Sequence, residues 1–209
     1  MPVIAVDGPA ASGKGTIARA LAKHFGLPHM DTGLLYRAVA LNLWRWGGDP
    51  GNEFEALRAC DELNLNADDP ELRSEPVSKI ASMVSAYRSV RAALLKRQQG
   101  FARQDGGAVL DGRDIGTVIA PQADVKLFVT ASPQVRAERR LRELEARGMH
   151  AHFEDVVADI RARDQRDSTR EVAPLRPAPD GILLDTSALD VAQSVAEAIR
   201  LAEARLSGR

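Results

Sequence analysis

Residues 8–16 read Gly-Pro-Ala-Ala-Ser-Gly-Lys-Gly-Thr, directly after the apolar run Val3-Ile4-Ala5-Val6 and at the head of a helical pattern that continues to Phe25. A strand, a glycine loop and a helix in that order constrain this chain more than any other segment. Gly8, Gly13 and Gly15 let successive backbone N–H groups converge on an oxygen anion with no Cβ in the way. The helix amino terminus adds its partial positive charge. Lys14 adds a full charge that reaches the outer phosphates. Gly8, Pro9, Ala10, Ala11, Ser12, Gly13, Lys14, Gly15 and Thr16 are therefore the candidate cradle for the phosphates of ATP. A glycine-rich turn ahead of an ordinary helix is the plain alternative. Three glycines and a lysine at fixed offsets, in the strand–loop–helix setting that the motif demands, favour the cradle.

The hydroxyl residue comes one place later than in the common phosphate-binding loop, at Thr16 after Gly15. The Gly-Lys-Gly-Thr ending resembles the loops of nucleoside monophosphate kinases more than those of motor ATPases or GTPases. The length, 209 residues, suits one domain or one domain with an insertion. A net charge of −1 disfavours nucleic acid as a partner. The single cysteine, Cys60, permits neither an internal disulfide nor a cysteine-based zinc site. His24, His29, His150 and His152 contain no helical ligand pair and read as structural or surface residues. The first apolar run stops at Gly8, far short of a signal peptide or a membrane span. A cytoplasmic enzyme is the simplest expectation. Cys60, Trp44 and Trp46 read as packing residues.

Short apolar runs at 3–7, 28–31, 108–111, 125–130 and 181–185 predict strands. Helical patterns occupy 14–25, 33–46, 53–63, 76–87, 89–103, 133–147, 153–169 and 190–207, with Asp190 placed to cap the last. Apolar strands separated by helices imply a parallel sheet covered on both faces. The expected fold is α/β: a three-layer α/β/α body of the P-loop NTPase type around a five-stranded parallel sheet. Ligands in such sheets bind beyond the carboxyl ends of the strands. The polar, turn-rich stretch 47–76 reads as the start of an insertion, and the Arg-, Asp- and Pro-dense stretch 147–179 as a mobile flap.

Three charged clusters and one scattered pair carry the remaining signal. After the second strand, Asp31-Thr32-Gly33 opens a helix that sets Arg37 one turn further in, where a guanidinium grips a phosphate bidentately. A capping residue plus a surface arginine explains that stretch equally well. After the third strand, Asp111-Gly112-Arg113-Asp114 presents a carboxylate where P-loop enzymes keep one near magnesium. The same turn sets side by side an arginine suited to a phosphate and an aspartate suited to an amine. Further on, Arg163, Asp167 and Arg170 share one helical face, either as a clamp on a phosphate and a sugar or as a solvated, self-paired surface. Ser82 and Arg91, on adjacent helical segments, carry no signal alone.

Taken in order, five motifs resemble the bacterial cytidylate kinase family over residues 3 to about 186. They are the glycine loop, Asp-Thr-Gly-x-x-Tyr-Arg, Ser82 to Arg91 with the following Ala-Leu-Leu-Lys-Arg-Gln, Asp-Gly-Arg-Asp-Ile-Gly-Thr-Val, and Arg-Asp-x-Arg-Asp-x-x-Arg before Ala-Pro-Leu. The resemblance implies a single kinase domain over 1–209, with a monophosphate-binding insertion at about 47–90 and a short arginine-rich lid at about 147–170. It implies ATP as donor, cytidine monophosphate and its deoxy form as acceptors, and magnesium, within pyrimidine nucleotide metabolism; we expect a monomer. Carried over by position, Arg37, Arg113 and Arg163 hold the acceptor phosphate. Ser82, Arg91, Asp114 and Arg170 face the cytosine, and Asp167 reaches the ribose. Thr32 stands where the family more often has serine. Lys14, Arg113, Arg163 and Arg166 are the expected charge stabilisers, with Thr16 and Asp111 positioning magnesium directly or through water. One departure is visible: the strand-rich stretch often found in the insertion is replaced here by a short polar connector between Leu65 and Pro76. Two other readings stay open, a P-loop kinase of another small acceptor and a nucleotide-binding switch or motor. No guanine-reading Asn-Lys-x-Asp motif supports the switch.

Overall fold

The apolar runs between the helical patterns assemble as five parallel strands in one sheet. A computed structural model describes every residue except Glu62, Asn64 and Arg209. The strands are β1 (Val3–Asp7), β2 (His29–Asp31), β3 (Ala108–Gly112), β4 (Val125–Thr130) and β5 (Ile182–Asp185), in the order β2-β3-β1-β4-β5. In β1 and β3 nearly every residue is buried, so both read as apolar runs instead of alternating until Asp7 and Asp111 near their carboxyl ends. β1 lies at the centre, with Asp7 level with Gly112 of β3 on one side and Phe128 of β4 on the other. The chain leaves β1 toward β2 but leaves β3 toward β4, so a crevice opens above these two neighbours.

Helix α1 (Lys14–Phe25) packs beside α8 (Val191–Ser207) on one face of the sheet. Ile17, Leu21 and Ala198 there meet Val6, Val109 and Leu127. The other face is covered by α5 (Arg88–Ala102) and by a π-helical turn, Ile115–Ile119, which bury Ala102, Ile115 and Ile119 against Ala5 and Leu110. Each fully buried Leu or Ile contributes about 1.5–3 kcal/mol. Two further apolar clusters stand outside the sheet. One joins α2 (Thr32–Arg45), α3 (Glu53–Arg58), a 3-10 turn (Pro70–Arg73), α4 (Glu75–Val84) and the start of α5 through Leu35, Val39, Leu43, Val77 and Val90. The other joins α6 (Pro133–Glu145) to α7 (Phe153–Thr169) through Ala137, Leu144, Val156 and Ile160.

Side-chain caps set several of the helix starts. Asn52 accepts from Phe54 N–H, Ser74 from Val77 N–H and Ser132 from Val135 N–H. Asp190 caps the last helix as expected, and Gln193 reaches back to its backbone to complete a reciprocal capping box. The helix expected over 53–63 is shorter. It ends at Arg58, and Cys60 and Asp61 then bond three residues back instead of four, which tightens the chain out of the helix; Glu62 of that expected span lies outside the described residues. Among the described residues no helix is long and apolar enough to cross a membrane.

Candidate active site, a phosphate cradle facing an arginine cluster

The glycine loop rises from the end of β1 and wraps the first turn of α1. Gly8 has no room for a side chain, because a Cβ there would stand 2.0 Å from the Val129 carbonyl oxygen. Ala11 and Gly13 take left-handed backbone angles, with φ at 57° and 87°. For Ala11 that conformation costs about 1–2 kcal/mol, a strain of the kind stored at functional loops. The Gly13 carbonyl then accepts from Thr16 and Ile17 N–H and starts the helix. Among the described residues the buried Ser12 Oγ has no hydrogen-bond partner. Lys14 Nζ donates to the Pro9 carbonyl at 3.3 Å. Burial pushes the Lys14 ammonium down to about 7, and the Arg113 charge pushes the same way. A phosphate in the loop would restore its charge.

Opposite the loop lies a cleft of about 570 Å³. Its far wall is assembled from α2, α4, α5, the turn after β3 and α7, and it carries Thr32, Arg37, Ser82, Arg91, Asp111, Arg113, Asp114, Arg163, Arg166, Asp167 and Arg170. Every acceptor-side residue singled out from sequence lines this one space. On the donor side Ala10, Ala11, Gly13, Lys14, Gly15 and Thr16 line it as well, whereas Gly8, Pro9 and Ser12 lie behind it.

The pairing among these charges differs from what helix spacing alone suggests. Asp167 is held by Arg113, whose Nε donates at 2.8 Å, while its helix neighbour Arg163 stays 3.9 Å away. Burial pushes the Asp167 carboxyl up, but Arg113 and Arg163 outweigh it and the net shift is down. Arg170, on the same face, turns to Asp114, with Nη2 3.4 Å from Oδ1. Asp114 takes Arg91 on its other oxygen, and Arg91 sits over the Tyr36 ring at 5.6 Å from its centroid. Arg37 donates to the Leu72 carbonyl at 3.2 Å and to Ser78 Oγ at 3.0 Å. Arg163 reaches the same Oγ at 3.5 Å, and among the described residues its buried Nε has no hydrogen-bond partner. Burial, with neighbouring guanidiniums adding to it, pushes Arg163 down to about 9 and Arg37 to about 10. Positive charge held this close without enough carboxylate is a site prepared for an anion. Arg166 donates to Ser82 Oγ from Nε and Nη2 at 3.4 and 3.3 Å.

Asp111 is buried at the end of β3, and His29 Nε2 from the neighbouring strand lies 2.7 Å from its Oδ1. The Thr32 hydroxyl donates to the Asp111 carbonyl at 2.8 Å, so it pins the strand end to the start of α2. His29 does not line the cleft itself and reaches it only through Asp111, in keeping with its reading as a structural residue. Only the β2–β3 register, with Asp31 level with Asp111, brings the ring there. Ser78, Arg136 and Arg139 likewise carried no sequence signal. Arg136 grips Asp164 of α7 through two bonds of 3.0 and 2.6 Å and donates to the Ala10 carbonyl at 3.3 Å. Arg139 donates to the Ser12 and Thr186 carbonyls at 3.3 and 2.8 Å. Both guanidiniums tie α6 to the glycine loop.

A parallel sheet with this loop at its central strand defines a P-loop nucleotide-binding protein. Solved structures of low sequence identity share the fold. A gluconokinase from Sinorhizobium meliloti matches with a TM-score of 0.50 at 18% identity, covering 99% of this chain and 92% of its own. An uncharacterized protein from Eubacterium ventriosum matches with a TM-score of 0.58 at 12% identity, covering 97% and 98%. The family is set by sequence: the cytidylate kinase family profile matches residues 4–204, and the chain belongs to that family. The cytidylate kinase of Xanthobacter autotrophicus is 60% identical, covering 99% of this chain and all of its own. That of Methylocella silvestris is 54% identical, covering 96% and 94%.

Proposed function

We propose that this protein moves the γ-phosphoryl group of ATP onto the phosphate of cytidine monophosphate or its deoxy form, releasing the diphosphate and ADP. One observation carries the choice of acceptor. A buried carboxylate, Asp114, is held by Arg91 and Arg170 and lines the same cleft as Arg37, Arg113 and Arg163. A phosphate on the three arginines extends its base toward Asp114. A carboxylate accepts from the 4-amino group of cytosine and repels the carbonyl that uracil has there.

An oxygen of the acceptor phosphate attacks the γ-phosphorus of ATP, and the bond from that phosphorus to the β–γ bridging oxygen breaks. The attacking oxygen is already anionic, so the step needs no general base. Rate comes from alignment and from charge placed where negative charge develops. Lys14 and the loop N–H groups serve the donor; Arg113, Arg163 and Arg166 serve the transferred group; Asp167 orders Arg113 and reaches the ribose; Thr32 sets the strand end beside them.

Magnesium fits the oxygen donors present. Asp111 Oδ2 lies 3.7 Å from where a Cβ on Gly15 would stand, next to Thr16. Asp111 and Thr16 would hold the ion together with water and the nucleotide phosphates, and it would neutralise charge on the β and γ oxygens. Among the described residues no group of three or more acidic, histidine or cysteine side chains forms a dedicated metal cage, in keeping with an ion carried on the nucleotide.

We read 1–209 as one cytoplasmic, monomeric kinase domain, with the acceptor insertion at about 47–90 and the lid at about 147–170. The apolar cluster that supports the insertion starts earlier, in α2. A panel of acceptors tests the whole reading in an ADP-release assay with ATP and magnesium. Release with cytidine monophosphate and its deoxy form, well above that with uridine monophosphate, shikimate or gluconate, supports it. Release only with a metabolite, or with no acceptor, overturns it.

A further inference from the structure

We propose that Asp7 is a positioning residue that holds the base-reading turn in register with the phosphate cradle. It closes β1 one residue before Gly8. Its side chain is buried, and both oxygens are spent across the sheet. Oδ1 accepts from Ile115 N–H and Oδ2 from Gly116 N–H, each at 2.8 Å. Those two N–H groups open the π-helical turn that directly follows Arg113 and Asp114. The first N–H groups of any helical turn lack a partner within it. Asp7 is thus the acceptor for both, supplied by a neighbouring strand.

The backbone repeats the connection, because Asp7 and Gly112 are level in the parallel pairing of β1 and β3. One residue therefore joins the start of the donor loop to the turn that presents Arg113 and Asp114. Burial pushes the Asp7 carboxyl up to about 7, against the two amide hydrogen bonds that hold it down. Asp7 does not line the cleft. It acts through Arg113 and Asp114, and the inference rests on the reading of Asp114 as the cytosine acceptor.

The test is Asp7→Asn, assayed at about pH 8, where the wild-type carboxyl is mostly ionised. Asparagine keeps the shape and one acceptor but turns an NH₂ toward the second N–H. Losing one such bond and leaving a buried donor unpaired is expected to raise KM for cytidine monophosphate about tenfold. The preference for it over uridine monophosphate should fall by about the same factor. The affinity for ATP, read directly by calorimetry, should change by less than about twofold, as for a site with no shared partner. In a double variant with Asp114→Asn the loss of preference should equal that of Asp114→Asn alone. Wild-type KM and preference in Asp7→Asn, or a double variant in which the two losses simply add, overturns the proposal.

Hydrogen exchange of the wild-type protein gives a second reading that stands if Asp7→Asn does not fold. The amides of Ile115 and Gly116 should be protected without any nucleotide, and more strongly with cytidine monophosphate bound. Exchange at the rate of an open loop overturns the proposal. This arm needs no turnover, so a protein that leaves cytidine monophosphate unphosphorylated would sink the function above while the tether is still judged on its amides.

Discussion

The cradle around Lys14 is made of one continuous stretch, residues 8–16, whereas the acceptor wall draws side chains from α2, α4, α5, the turn after β3 and α7. The first works with backbone. Its N–H groups and the end of α1 make the positive field, and one lysine completes it. The second works with guanidiniums, which need carboxylates or serines to hold them apart: Asp167 for Arg113, Asp114 for Arg91 and Arg170, Ser78 for Arg37 and Arg163. A wall of mutually repelling cations fails member by member, and each failure is specific to one part of the acceptor.

The largest effect is expected in the cradle. Lys14→Ala should lower turnover by about 10²–10³-fold, the scale of one lost transition-state donor, while its melting curve stays that of the wild type. Near-normal turnover would remove the lysine from the reaction and leave the backbone as the whole donor site. On the wall, Asp114→Asn should cost about tenfold or more in preference for cytidine over uridine monophosphate, read as the ratio of kcat/KM in competition. If discrimination is unchanged, base choice lies elsewhere and the contrast between the two sides blurs.

A smaller effect tests the supports between the charges. Ser78→Ala takes the shared hydroxyl from Arg37 and Arg163 without touching either guanidinium. KM for the acceptor should rise about threefold to tenfold at constant kcat, the scale of a neutral hydrogen bond, and KM for ATP should hold. A kcat effect instead would show that these arginines act on the transferred group more than on the bound acceptor.

The last prediction concerns stability alone. The Asp7 carboxyl goes from 3.8 when unfolded to about 7 in the folded chain. Between those values the folded state binds the extra proton, so the stabilisation is complete below the lower value and is lost as pH rises through the upper one. Asp7→Asn has no such loss. Its urea midpoint relative to wild type should therefore climb from about pH 4 to about pH 8, and a constant difference would show that Asp7 is not held this way.

Helix and strand positions were legible where local rules decide them. Apolar runs, period-3.6 patterns, the cap at Asp190 and the glycine loop all act within a few residues. The site residues that were legible stand in local charge clusters, at 31–37, 111–114 and 163–170. The contact of His29 with Asp111 was not legible because the two stand on different strands, and the register of β2 on β3 is invisible in either segment alone. Asp7 was missed for the same reason, and the turn at Ile115–Ile119 with it, since a carboxylate across the sheet accepts its first N–H groups. The shared face of Arg163, Asp167 and Arg170 was legible from their spacing, but their partners were not, because Arg113 and Asp114 reach them from the turn after β3, more than 50 residues away in the chain.

The amino-acid sequence by itself determined that a glycine loop of the phosphate-binding pattern follows the first strand, that the sheet is parallel and covered, and which acidic and basic side chains were available. These follow from conformational freedom, hydrophobic period and residue chemistry, which act over a turn or two of chain. Only the tertiary structure decided which arginine holds which aspartate, that His29 meets Asp111, and that Asp7 ties the donor loop to the turn opposite. Those pairs span between about 20 and 110 residues of chain, and such contacts are settled by strand order and helix packing, with no local preference to announce them.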